Sequence, residues 1–256
     1  MADLVIEPSA PGVRLLRLNR AERRNALSTP LLADIAVALS DAAIDPDIRA
    51  VILTGGDKVF AAGADLNEVA EKDMPGALDD PRPALWARVR DFPKPLLAAV
   101  EGWCLGAGCE LIMCCDIVIA GVDARFGQPE TNLGIMPGAG GTATLPRLVG
   151  RATAMRMVLL GDTITADEAH TAGLISQVSA TGKATETALA MAVRIAERAP
   201  LALRQAKASV RAAFDLPHEA HLKLERQMFA GLFATSDKTE GIRAFLAKRP
   251  PEWTGR

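Results

Sequence analysis

The chain has 256 residues, 49% of them hydrophobic, and a formal net charge of −2 from 29 basic and 31 acidic side chains. That length suits a single domain with a full core and a smaller appended segment. Its scattered, near-neutral charge leaves no basic footprint for nucleic acid. The opening MADLVIEPSAPG has no basic start followed by an apolar stretch, so no signal peptide is expected. The longest uncharged runs, such as 131–146, are rich in Gly and Pro and too short to span a bilayer. The expectation is a cytoplasmic protein with neither membrane nor nucleic acid as a partner.

In chain order, "VRLLRLN" (13–19) alternates apolar and charged residues like a half-buried strand. Ser28, Thr29 and Pro30 then open an amphipathic helix to about Ala43, with a capping hydroxyl and an early proline. "AVILTGG" (50–56), "PLLAAVEG" (95–102) and "DIVIAG" (116–121) are short apolar runs, the pattern of buried strands. "KVFAAGADL" (58–66) is a glycine-bearing turn after a strand, leading into a short helix at Asp65. Strands alternating with helices imply an α/β core. Past residue 183 the pattern turns helical over 184–199, 201–214, 218–234 and 238–248, with breaks at Pro200, Pro217 and Ser236-Asp237. This divides the chain into an α/β core, 1–183, and a helical region, 184–256. Phe229, Phe233 and Phe245 give that region more apolar bulk than a surface helix needs, so it packs on another subunit or on its own core. The stripe of Arg204, Lys207 and Arg211 reads as a solvated face. No internal repeat is visible.

All four cysteines fall at 104, 109, 114 and 115, a spacing that fits neither a metal knuckle nor a disulfide framework. They read as small buried hydrophobes. "HEAHL" spaces its histidines three apart, whereas a helical zinc pair needs four, so no metal site is expected. Glu110 stands out within "LGAGCELIMCCD" (105–116), because an ionised carboxylate among apolar neighbours is costly unless something holds it. It follows a strand and a glycine-bearing turn, in the first turn of a predicted helix. Free backbone N–H groups and the positive end of the helix dipole make such a turn a ready anion site, and on pattern alone an acid in that first turn serves equally well as a plain complement to the dipole. Residue 111 is Leu and no acid follows near 125–128, so a dinucleotide fingerprint is absent. A second acid, Glu130, lies in the glycine-rich "RFGQPETNLGIMPGAGG" (125–141). With no nucleophile elbow and no Walker loop, the available chemistry is two carboxylates plus backbone donors.

"VFAAGADL", "AVEGWCLGAGCEL" and "FGQPETNLGIMPGAGGT", in that order and spacing, resemble signature segments of the crotonase (enoyl-CoA hydratase/isomerase) superfamily. The resemblance continues through "LLGDTITADEAHTAGLI" (159–175) and "EGIRAFLAKRPPEW" (240–253). It is nearest to bacterial enoyl-CoA hydratases, including the 2,3-dehydroadipyl-CoA type. It implies an α/β fold: a crotonase-type spiral of strand-strand-helix turns with a C-terminal helical trimerisation region, assembled as a trimer or dimer of trimers. It also implies an oxyanion hole from the N–H groups of Ala64 and Ala107, and an acid–base pair of Glu110 and Glu130. Gly138 matches the position whose N–H helps hold the attacking water. Asp65 and Leu66, next to the first oxyanion donor, are carried over as substrate-binding residues. The implied substrate is an acyl-CoA thioester, with no separate cofactor because CoA belongs to the substrate.

Departures from the family pattern bear on CoA binding. Ala107 replaces a frequent glycine without affecting a role that needs only its N–H. Ala21 replaces a common proline, and Glu22 and Asn67 stand where a cation could meet the CoA phosphates. Those cations must come from Arg23, Arg24, Lys58, or Lys248 of a neighbouring chain. The segment 71–92 with Trp86, and Phe229 or Phe233, is expected to shape the acyl pocket, and Arg82, Arg88 and Arg90 are candidates for meeting a terminal carboxylate. Isomerisation of a 3-enoyl-CoA needs a base at Glu130 but no second acid, so both glutamates together favour hydration. Some relatives bind RNA or act as scaffolds; the near-neutral charge and the acid pair argue against that.

Overall fold

The structure, a computed structural model, describes residues 2–256. Its strands are β1 (Leu4–Glu7), β2 (Val13–Leu18), β3 (Ala50–Thr54), β4 (Val59–Ala61), β5 (Leu96–Val100), β6 (Trp103–Leu105), β7 (Ile117–Gly121), β8 (Arg125–Gly127), β9 (Thr163–Thr165) and β10 (Gln177–Ser179). Its helices are α1 (Thr29–Ile44), α2 (Leu66–Ala70), α3 (Met74–Leu78), α4 (Arg82–Arg90), α5 (Ala107–Met113), α6 (Gly141–Leu159), α7 (Ala166–Ala172), α8 (Ala184–Ala196), α9 (Pro200–Ala212), α10 (His218–Leu232) and α11 (Ser236–Leu246). A six-stranded sheet runs β1-β2-β3-β5-β7-β10, and a four-stranded sheet runs β4-β6-β8-β9. Only β1 and β9 pair antiparallel to their neighbours.

Three times the chain lays a strand in the larger sheet, a short strand in the smaller one, and then helix: β3–β4–α2 to α4, β5–β6–α5 and β7–β8–α6. The result is a spiral of strand-strand-helix turns. The central strands β3 and β5 are buried on both faces, because both faces of the sheet are covered there. Side chains alternate across it. Val51, Leu53, Leu96, Ala98 and Val100 join the main core with α1 residues Leu31, Ile35 and Leu39. Ile52, Leu97, Ala99 and Ile119 instead meet Ala184, Ala188 and Ala192 of α8. Thus α8, grouped with the tail on sequence pattern, covers the core sheet, and its small side chains allow close approach. By contrast, α9 and α10 contain no buried residue.

The expected helix after Ser28 forms, with the Ser28 hydroxyl accepting from Leu31 N at 3.3 Å. Its far end is held by Lys94, whose ammonium donates to the carbonyls of Ala42, Asp45 and Ile48 at 2.6–2.8 Å. The stripe on α9 is not the solvated face its spacing suggests. Lys207 is inserted, bonded to Asp116 at 2.7 Å and to the Lys94 carbonyl at 2.8 Å, and Arg211 donates to the Arg90 carbonyl. Only Arg204 is exposed. The stripe therefore pins α9 to the core, because a long cationic side chain can bury its stem when its head finds oxygen partners. His221 of "HEAHL" serves the same packing, with Nε2 against Ser209 at 2.9 Å. No helix among the described residues is long and apolar enough to cross a membrane, and none of their side chains form a metal-ligand group.

Candidate active site

The spiral brings its helix starts and short-strand ends to one side, around a cavity of about 570 Å³. Ala64, Asp65, Leu66, Ala107, Glu110, Glu130 and Gly138 all line it, although they come from three separate turns of the chain. Of the candidate CoA-phosphate cations, Arg23 and Arg24 line it while Lys58 and Lys248 do not. Trp86 lines it as expected. Phe229 and Phe233 do not, and instead stack edge to face at the end of α10, Phe233 directly following the helix, with centroids 5.0 Å apart.

Glu110 is only 4% exposed. One carboxylate oxygen, Oε1, accepts from the N–H of Ala139 at 2.7 Å and of Gly141 at 2.8 Å. Gly141 is the first residue of α6, so the compensating helix terminus is that of α6 as well as the start of α5 on which Glu110 sits. Oε2 has no protein partner. Burial raises the Glu110 carboxyl, while the two N–H donors and nearby Arg90 pull it back.

Glu130 begins a 3₁₀ turn, Glu130–Leu133, directly after β8 and Gln128-Pro129. Its Oε2 is buried without a hydrogen-bond partner, as is Oε1 of the fully buried Gln128. An unpaired buried carboxyl favours its neutral form. Burial, reinforced by the charge of Glu110, pushes Glu130 up to about 7. Gly106 makes this approach possible. Its φ is +51°, and a Cβ there would lie 3.1 Å from Oε1 of Glu130.

The same turn leaves the N–H of Ala107, at the head of α5, without an acceptor among the described residues, and the N–H groups of Ala64 and Gly138 likewise. Asp65 is engaged: it caps α2 through Asn67 N at 3.2 Å and pairs with Arg20 at 3.2 Å. It shapes the turn that presents the Ala64 N–H. Behind Glu110, on the far side of Ala139, a second cavity of about 630 Å³ is lined by Arg90, Lys207 and Arg211. Arg90 thus sits at the back of the Glu110 mount, its guanidinium 3.4 Å from the Ala139 carbonyl. Sequence pattern gave no sign of that second cavity, because α9 reaches it from more than 90 residues away.

One half-buried glutamate raised to about 7, one carboxylate held by two amides and three N–H groups without an acceptor among the described residues thus surround a single cavity on a strand-strand-helix spiral. The chain belongs to the enoyl-CoA hydratase/isomerase family, whose model matches residues 9–256. It is 50% identical, over the whole of both chains, to a 2,3-dehydroadipyl-CoA hydratase of Escherichia coli. It is 43% identical to the mitochondrial enoyl-CoA hydratase of Pongo abelii, over 93% of this chain and 82% of that one. A crystal structure of an enoyl-CoA hydratase subunit from Geobacillus kaustophilus superposes with a TM-score of 0.96 at 37% identity, covering 100% of this chain and 99% of that one.

Proposed function

We propose that the protein is an enoyl-CoA hydratase, adding water in syn fashion across the C2–C3 double bond of a 2-enoyl-CoA to give the 3-hydroxyacyl-CoA. The observation that carries this reading is the unequal pair of carboxyls: Glu110 held as an acceptor by two amides, Glu130 raised to about 7. Neighbouring acids with different environments divide into a base and an acid.

In this reading the thioester oxygen lies against the N–H groups of Ala64 and Ala107, which stabilise the negative charge as an enolate develops. Glu110 accepts a proton from water while the water oxygen bonds to C3. Glu130 gives its proton to C2, and the electron pair of the double bond forms the new C2–H bond. One proton then passes from Glu110 back to Glu130 through solvent to close the cycle. The Gly138 N–H is free to hold the water. Nothing in these steps requires a cofactor, CoA being part of the substrate. Arg23 and Arg24, on the cavity wall, are placed to meet the CoA phosphates. Four unpaired thiols suit a cytoplasmic enzyme. Exposed apolar side chains on α10 and α11 suit a homotrimer or a dimer of trimers.

Glu110→Gln and Glu130→Gln test the reading. Each should lower hydration of a 2-enoyl-CoA by roughly 10²-fold or more, the scale of general acid–base catalysis. Near-full activity in either variant removes that residue from the mechanism. Double-bond migration without hydration in the unaltered protein would make it an isomerase instead.

A further inference from the structure

Inside the same cavity, Arg82 and Trp86 lie one turn apart on α4 and so share a face. Trp86 is 5% exposed and gives the cavity an apolar wall. Arg82 is tied to Asp80, its Nε 2.8 Å and its Nη2 2.7 Å from Asp80 Oδ2. The same oxygen takes Lys72 Nζ at 2.5 Å. The Asp80 side chain is 6% exposed, and the two cations are mostly covered at 19% and 22%.

Two cations on one carboxylate leave a surplus positive charge. No other carboxylate reaches either cation among the described residues, and Nη1 of Arg82 has no protein partner. An uncompensated charge at a partly dry, apolar wall calls for a counter-ion. Asp80 also fixes the guanidinium, so an incoming anion meets a donor already oriented. The other two candidate arginines are placed differently. Arg88 is exposed and donates to Ser40, and Arg90 faces the second cavity behind Glu110.

We infer that Arg82, braced by Asp80 and Lys72, is the specificity determinant of the acyl pocket, and that it selects a 2-enoyl-CoA whose acyl chain ends in a carboxylate. This rests on the hydratase reading and narrows its substrate to dicarboxylic acyl chains. The name of the Escherichia coli relative, a dehydroadipyl-CoA hydratase, is of that class. The apolar wall at Trp86 would hold the methylene chain and Arg82 its far end.

The experiment compares kcat/KM for 2-enoyl-CoA esters of matched chain length, with and without a terminal carboxylate, over short and medium lengths. The intact protein should prefer the carboxylate ester at one length. Arg82→Leu should shrink that preference by roughly 10²-fold, chiefly through KM, as a desolvated charge pair loses one partner. Arg82→Lys should restore part of it, an effect that mere support of α4 would not produce. Equal rates for both esters at every length overturn the inference. So does a preference that survives Arg82→Leu, or one that falls only with Arg90→Leu. Calorimetric binding of the saturated esters reads the same dependence without turnover. A protein that hydrates neither ester, yet binds the carboxylate form through Arg82, would fail the hydratase reading alone.

Discussion

Glu101 and Glu110 are both buried glutamates, and each accepts the N–H of the first residue of a helix, Ala184 of α8 and Gly141 of α6 respectively. Glu101 ties a helix to the core, whereas Glu110 keeps Oε2 free in a cavity that also holds Glu130. That difference sets the pH dependence. In the proposed mechanism Glu130 acts as an acid only while protonated, so kcat/KM should fall as pH rises through about 7. As the proposed base, Glu110 acts only while ionised, so activity should also fall on the acid side as its raised carboxyl takes up a proton. The two limbs belong to the coupled pair. Because the charge of Glu110 helps to raise Glu130, the residual activity of Glu110→Gln should lose its basic limb at lower pH. A profile that stays flat through 7 would remove Glu130 as the acid. At this scale the sequence was legible where a charge interrupts an apolar run, as at Glu110. Glu101, Asp80 and Lys207 were missed, since their partners lie 83, 2 to 8, and 91 or more residues away and only the Asp80 cluster is local. Even there, six charges within "EKD" and "DDPR" look like a solvated loop until the cavity is seen.

The amide of Ala107 is positioned by how closely α5 lies on β4. Gly108 permits that contact: a Cβ at this position would lie 2.4 Å from the Ala61 carbonyl oxygen and 2.7 Å from the Ala61 Cβ. Gly108→Ala would gain about 1 kcal/mol in helix propensity. Moving two backbone segments apart costs about 1–3 kcal/mol, so the clash should win or at least cancel the gain. Turnover should suffer more than stability, because the shift moves the Ala107 N–H relative to that of Ala64. The expected outcome is a urea midpoint at or below that of the parent, with kcat reduced at least tenfold, a loss of about 1.4 kcal/mol in transition-state binding. A stable, fully active Gly108→Ala would show that the proposed oxyanion donors do not depend on this packing. The long elements were readable from pattern: β2, β3, β5, β7, α1 and the tail helices stand within a few residues of expectation. The three-residue strands β4, β6, β8, β9 and β10 were not, since three residues are too few to show a period. The structural repeat was hidden for the same reason. Each turn is closed by different side chains, and only the backbone path recurs.

On the scale of the whole molecule, the unresolved tension lies in the tail. Its end is well anchored, with the buried carboxylate of Asp237 accepting from Thr254 N at 2.8 Å and Gly255 N at 2.9 Å. Yet Phe245 is 83% and Leu246 75% exposed on α11, and Phe229 and Phe233 are half exposed at the end of α10. Fully burying a side chain of that size is worth about 1.5–3 kcal/mol, so four of them on an ordered surface would favour association strongly. Phe229 and Phe233 fall one turn apart, and Ile242, Phe245 and Leu246 fall at spacings of three and four, so each helix presents a continuous apolar face. In the trimer or pair of trimers proposed here, such faces would form a heterologous contact that closes into a ring. Light scattering at micromolar concentration should therefore give a mass that is a multiple of three chains. Phe245→Glu, which places a charge on the most exposed of these rings, should shift the population toward smaller species while the isolated fold is retained. A monomer in the unaltered protein would refute the assembly. If Phe245→Glu leaves the oligomer intact, the contact lies on another face, and the apolar tail must then be covered by something other than a second copy.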